Sequence, residues 1–171
     1  MKLIFLDVDG VLNSLSTKTE IEGYTFVSDN LIALLKQIVD ATDAKIVLSS
    51  TWRRGWYCKE HVPNPDDVDL RDIRMFEALR DKLHDFGIEL MSYTDDFGPR
   101  GQEIDAWVKA WDGEPIESFV ILDDLGGREM KPHSRYLVQT GMSVGLTMKH
   151  VARAIKLLNA PEKPSEAPES V

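Results

Sequence analysis

The chain has 171 residues, of which 43% are apolar and 29% charged, an ordinary balance for one soluble globular domain with a sizeable core. Its formal net charge is −9, and the last eleven residues supply −2 of this (Glu162, Glu166 and Glu169 against Lys163). The body is therefore acidic too, which excludes a broad duplex-binding surface but leaves room for one local basic pocket. The single cysteine, Cys58, excludes an internal disulfide and permits a reducing compartment. Only four apolar residues separate Met1-Lys2 from Asp7, too few for a signal peptide, and no stretch is long enough to span a bilayer. These features read as a cytoplasmic protein.

The predicted elements alternate. Leu3–Leu6 is a short continuous apolar run, as expected of a strand covered on both faces. It runs straight into Asp7-Val8-Asp9-Gly10-Val11. Residues 13–27 are polar and mixed, and Gly23–Val27 resembles one arm of a small hairpin. Leu31, Leu34, Leu35, Ile38 and Val39 have helical spacing, with Ser28 or Asp29 as the cap. Lys45–Leu48 is a second buried strand, ending in Ser49-Ser50-Thr51. Gly55–Leu70, with Trp56, Tyr57, His61, two prolines and several acids, reads as a surface loop. A helix follows Asp69 (Ile73, Phe76, Leu79, Leu83, Phe86) and closes at Gly87. Ile88–Met91 is a third strand. Ile104, Trp107, Val108 and Trp111 form another helical stripe, and Ser118–Leu122 is a fourth strand ending in Asp123-Asp124. Tyr136–Val138 is a fifth strand, and Thr147 caps a last helix carrying Val151, Ala154, Ile155 and Leu158. The apolar stripes, both tryptophans included, are expected to be core. Residues 1–160 read as one domain, and the Pro-, Glu- and Ser-rich residues 161–171 as a disordered tail.

Such alternation implies a mainly parallel five-stranded sheet with helices on both faces. Paired acids after a buried strand are costly unless a cation or proton compensates. Strand alternation would let Asp7 and Asp9 point the same way while Val8 points elsewhere, and Gly10 lets the backbone turn sharply. Asp7, Asp9, Ser49, Asp123 and Asp124 all follow strands, so they gather at the carboxyl edge, where open α/β sheets bind ligands.

Asp7-x-Asp9-Gly10-Val11, Ser49 after Ile46-Val47-Leu48, basic Arg100, and Asp123-Asp124 after Phe119–Leu122 stand in the order of four known motifs. The chain resembles the haloacid-dehalogenase-like (HAD) superfamily of magnesium-dependent phosphohydrolases over residues 1 to about 159. Ser49-Ser50-Thr51-Trp52-Arg53 and Arg100-Gly101-x-Glu103-Ile104-x-x-Trp107 resemble a subgroup found in bacteria, phages and RNA-repair proteins. The resemblance implies a three-layer Rossmann-like α/β fold with a hairpin flap and no large cap. It implies Asp7 as nucleophile, Asp9 as general acid and base, and Ser49 and Arg100 as phosphoryl ligands. It implies Mg²⁺ held by Asp7, the backbone carbonyl of Asp9 and one of the Asp123-Asp124 pair, with Asp124 favoured as direct ligand. Relatives often have Lys in the third motif; Arg100 can grip two oxygens at once, whereas Lys109 is expected to face solvent. Arg53 and Gly10 are further substrate-binding candidates, and Trp56 or Tyr57 would stack on a base or simply pack. An open, capless site suits a small phosphorylated nucleotide or a single-stranded nucleic-acid 3′-phosphate end. The competing class is a non-catalytic phosphate-binding module or a phospho-accepting receiver domain, whose acceptor follows the third strand, here near Asp95 and Asp96.

Overall fold

The computed structural model describes residues 1–61, 70–131 and 133–160. The expected tail, and the part of the expected 55–70 loop from 62 to 69, lie outside the described residues. In chain order the elements are β1 (Lys2–Leu6), β2 (Glu20–Ile21), β3 (Tyr24–Thr25), α1 (Asp29–Thr42), β4 (Lys45–Leu48), α2 (Arg53–His61) and α3 (Leu70–Asp85). They continue with β5 (Leu90–Tyr93), α4 (Arg100–Ala110), β6 (Ser118–Asp123), a 3-10 helix (His133–Tyr136), β7 (Leu137–Gln139) and α5 (Met148–Asn159).

The main sheet has the order β5-β4-β1-β6-β7, with every described pairing parallel. Central β1 is fully buried from Leu3 to Leu6 because both of its faces are covered. Ile4, Leu6, Ile46, Leu48, Val120 and Leu122 pack against residues of α1, α3 and α5. Leu3, Phe5, Val47, Phe119 and Ile121 face the opposite way, towards Ile104 and Trp107 of α4. These two apolar layers make the three-layer α/β architecture. Each fully buried Leu, Ile or Phe contributes roughly 1.5–3 kcal/mol, so β1 anchors the edge from which Asp7 emerges. Among the described residues, no helix is long and apolar enough to cross a membrane.

Several local expectations change. Residues 53–61 are helical, not loop: Gly55 lies so close to α3 that a Cβ would sit 2.0 Å from the Asp72 carbonyl oxygen. The third strand is Leu90–Tyr93, two residues later than the apolar run, because Ile88 fills the core before pairing begins. Tyr136 ends the 3-10 helix, and Trp111 is the C-cap of α4, stacked on Trp107 at 5.1 Å. Ser28 occupies the N-cap of α1 without a side-chain capping bond, whereas Thr147 forms a full capping box with His150. The flap is the β2–β3 hairpin, turned by Glu22 (φ 51°) and Gly23 (φ 82°), two left-handed residues as a type I′ turn needs.

Candidate active site

Four chain segments reach the carboxyl edge one residue beyond pairing. The Asp7 N–H donates to Leu122, Ser49 to Leu6, Thr94 to Leu48 and Thr140 to Asp123, so the sheet's own hydrogen bonds fix where these residues begin. Asp7, Asp123 and Asp124 can each offer a carboxylate oxygen within 4.8 Å of the other two. Arg100, the first residue of α4, reaches the same place: its Nη1 donates to Asp7 Oδ1 at 3.3 Å and to Asp123 Oδ2 at 3.2 Å. The second Asp123 oxygen accepts the Leu125 N–H at 2.8 Å. Lys109, at the far end of α4, is exposed.

Asp9 is placed differently from its expected strand-like orientation. β1 stops at Leu6, and the chain turns at once, with the Leu12 N–H donating to the Val8 carbonyl at 2.8 Å. The turn, not strand alternation, aims Asp9. Its Oδ1 accepts from Asn13 Nδ2 at 2.7 Å and its Oδ2 from Trp52 Nε1 at 3.0 Å. Asn13 Oδ1 also accepts the Gly10 N–H at 2.9 Å, so one side chain closes the turn and holds the acid. The carboxylate of Asp9 stands apart from the three-acid cluster.

Gly10 is required twice over. Its φ is +72°, and a Cβ there would lie 2.9 Å from Asp124 Cβ and 3.0 Å from Asp124 Oδ2. Gly10→Ala is expected to push Asp124 aside and to weaken divalent-cation binding by the acid cluster about tenfold, read by metal titration.

Ser49 is fully buried, and its hydroxyl has no hydrogen-bond partner. Arg53 is not a surface arginine. It is 2% exposed and its Nη2 donates to Glu103 Oε2 at 2.9 Å and approaches Asp96 Oδ1 at 3.2 Å, while Nε and Nη1 have no partner. Glu103, also buried, lies with Oε2 3.5 Å from Arg100 Nε and takes the Phe97 and Gly98 N–H groups on Oε1. Trp56 is not with the acids: its ring stacks on Phe76 at 5.1 Å and its Nε1 donates to Glu60. Asp96 is committed to Arg53 and Arg54, so the acids after the third strand do not join the cluster that a receiver domain would build around them. Asn13, Trp52 and Glu103 join the site without a sequence signal of their own. Trp52 and Glu103 stand only inside the quoted motif strings, and Asn13 carries no signal at all.

Burial raises the Asp7 carboxyl to about 7, helped by Asp123, against the pull of Arg100. Burial raises Asp123 as well, with Arg100 opposing, and it raises Asp124, with Asp9 adding to the effect. A carboxyl raised in the folded state contributes stability that is present below its unfolded value and lost as pH rises through its folded value. The metal-free protein is therefore expected to lose melting temperature as pH rises from about 4, the ordinary carboxyl range, to about 7, the raised value of Asp7, and to level off above it. Mg²⁺ should flatten that decline; parallel melts in chelator and in Mg²⁺ check this. Three clustered carboxylates are the hard oxygen donors a divalent cation takes, and their mutual repulsion is what such an ion relieves, so the residues fit one.

A parallel α/β sheet with this acid cluster, a neighbouring serine and a basic side chain at its carboxyl edge defines a HAD-like domain. The chain belongs to the family described as the HAD domain in Swiss Army Knife RNA repair proteins, whose model matches residues 3–151. The family brings a phosphatase-type hydrolase function at the level of the class, and HAD enzymes typically use a divalent metal. Among curated proteins and among solved structures, nothing matches the chain.

Proposed function

We propose that the protein is a Mg²⁺-dependent phosphomonoesterase acting on a nucleotide or on the 3′-phosphate of a nucleic-acid end. The observation that carries this reading is the separation of two kinds of carboxylate: a buried cluster of Asp7, Asp123 and Asp124 met by Arg100, and Asp9 held apart by Asn13 and Trp52. The family's description favours the nucleic-acid end.

In the proposed reaction an Asp7 oxygen attacks phosphorus, the P–O bond to the leaving group breaks, and Asp9 gives its proton to the departing oxygen. Asp9, now a carboxylate, takes a proton from water; the water oxygen attacks phosphorus, and the acyl-phosphate bond breaks to restore Asp7. Each Asp9 oxygen accepts one N–H in the structure and keeps a lone pair for the proton it must carry. Ser49 Oγ, buried and unpartnered, is suited to donate to a phosphoryl oxygen, and Arg100 to grip others. Asp7, Asp124, Asp123 and the Asp9 carbonyl would hold Mg²⁺, whose bound charge would offset that of the phosphoryl group.

The test is phosphate release with and without Mg²⁺ from an aryl phosphate, nucleoside monophosphates and a 3′-phosphorylated oligonucleotide. Metal-dependent release is expected. Asp9→Asn should lower kcat about 10²- to 10⁴-fold while Mg²⁺ binding persists, because the proposed ligand there is a backbone carbonyl. Asn offers one acceptor oxygen where Asn13 and Trp52 supply two donors, so a modest loss of stability should accompany it. Parent-like turnover in Asp9→Asn would remove Asp9 from the acid–base role.

A further inference from the structure

Asp9 opens onto a cleft of about 360 Å³ distinct from the acid cluster, lined also by Leu15, Tyr24, Thr25, Trp52 and Met142. Three of its walls are large apolar side chains left in solvent: Leu15 is 76% exposed, Tyr24 51% and Met142 42%. Isolated exposed apolar residues need no explanation, but three around one cleft beside a carboxylate do.

These walls are held in place. The Leu15 N–H donates to the Met142 carbonyl at 2.8 Å, joining the first turn to the loop after β7. Asn13 Nδ2 reaches the Thr25 carbonyl at 3.3 Å, tying the hairpin to the residue that orients Asp9. At the hairpin turn, Arg74 of α3 grips Glu22 through Nε at 2.8 Å and Nη2 at 2.9 Å. A cleft braced at three points suits an occupant without first having to order its walls.

We propose that this cleft is the leaving-group subsite and that it takes a terminal nucleoside, with its base on the Tyr24 ring between Leu15 and Met142. This rests on the phosphatase reading, because the group that departs from phosphorus must leave beside the residue that protonates it, and Asp9 forms the inner wall. Chemistry selects the occupant. None of the described lining residues is Lys or Arg, so the cleft suits the uncharged nucleoside, and the next phosphate of a strand would lie outside it. Tyr24, half exposed, offers aromatic surface, and the exposed Thr25 beside it offers a hydroxyl for a sugar hydroxyl or base edge. An aliphatic chain would leave both unused. A second cleft, near Tyr57 and Tyr93, is the rival place for a base, but its arginines, Arg53 and Arg54, are paired with Asp96 and Glu103, and Asp9 does not line it.

The experiment compares kcat/KM for adenosine 3′- and 5′-monophosphate with that for glycerol 2-phosphate, which has no base, and for phosphotyrosine, in the parent and in single variants. Tyr24→Ala and Met142→Ala should lower the adenosine-to-glycerol ratio about tenfold, chiefly through KM, as loss of base stacking does. Tyr24→Phe should keep the ratio. An unchanged ratio in both alanine variants overturns the subsite while the phosphatase reading stands. So does a ratio that falls in Tyr57→Ala instead, which would put the base in the rival cleft. A parent that prefers phosphotyrosine to both adenosine monophosphates overturns the nucleoside. A parent that releases phosphate from none of these compounds in Mg²⁺ overturns the phosphatase reading itself, and the subsite with it.

Discussion

Asp7→Asn is expected to abolish phosphate release, by about 10⁴-fold or more, and at the same time to raise the melting temperature of the metal-free protein at about pH 8. The two effects have one origin. Asp7 is buried with its carboxyl raised by burial and by Asp123, so the folded metal-free state holds a charge it disfavours. An amide removes that charge while its carbonyl can still accept from Arg100 Nη1, the contact now made at 3.3 Å. In the proposed reaction the same amide cannot act as the nucleophile, which accounts for the expected loss of turnover. Melts in chelator and in Mg²⁺, alongside phosphate release, check both halves. The metal-dependent gain in stability should shrink in the variant, since one proposed ligand charge is gone. An active Asp7→Asn protein would end the nucleophile assignment. An inactive one with a lowered melting temperature would mean that Asp7 supports the fold rather than straining it.

How far this site was legible follows from where each residue stands in the chain. Residues that leave a buried strand announce themselves, because an apolar run interrupted by Asp7, Ser49 or Asp123 leaves few other places for a polar side chain. The parallel sheet was legible for the same reason, from continuous apolar runs separated by helical spacing. Residues that act by facing inward from a turn or helix were not. Asn13 reads as an ordinary loop residue, and only the folded turn shows it closing on the Gly10 N–H and Asp9 together. Trp52 stands in the sequence only inside the Ser49–Arg53 string; it is core at 5% exposure, yet its one polar atom is spent on Asp9. The helix at Arg53–His61 was missed because it is held by packing on α3 more than by an apolar stripe of its own: only Arg53 and Gly55 are buried within it. Arg53, a substrate-binding candidate in the sequence, shows itself as a buried charge only with the Glu103 that faces it.

Glu103 accordingly carries the second large effect. Its four contacts join three segments: the loop before α4 through the Phe97 and Gly98 N–H groups, the end of the Ser49 segment through Arg53, and the start of α4 through Arg100. Burial lowers the pKa of Arg53, Glu103 acts against that, and Arg100 opposes the charge from the other side. Removing the carboxylate leaves Arg53 buried against Asp96 alone and the two guanidinium groups facing each other. Glu103→Ala is therefore expected to lower stability by about 3–5 kcal/mol in chemical denaturation, the range for breaking a buried pair from one side. Glu103→Gln separates the fold from the chemistry. It keeps an acceptor for the Phe97 and Gly98 N–H groups but turns an NH2 toward Arg53 and gives up the charge that orients Arg100, so it should lose less stability than Glu103→Ala and, in the folded protein, bind phosphoester more weakly, with KM raised more than kcat is lowered. Arg53→Met in the parent and in Glu103→Gln completes a cycle, and a coupling well above about 0.5 kcal/mol is expected for groups in direct contact. Parent-like kinetics in a folded Glu103→Gln protein would confine Glu103 to the fold. A raised KM would mean that Arg100 approaches the phosphoryl group only while Glu103 holds its other side, which makes the third motif a buried pair and not the lone basic residue that the chain presents.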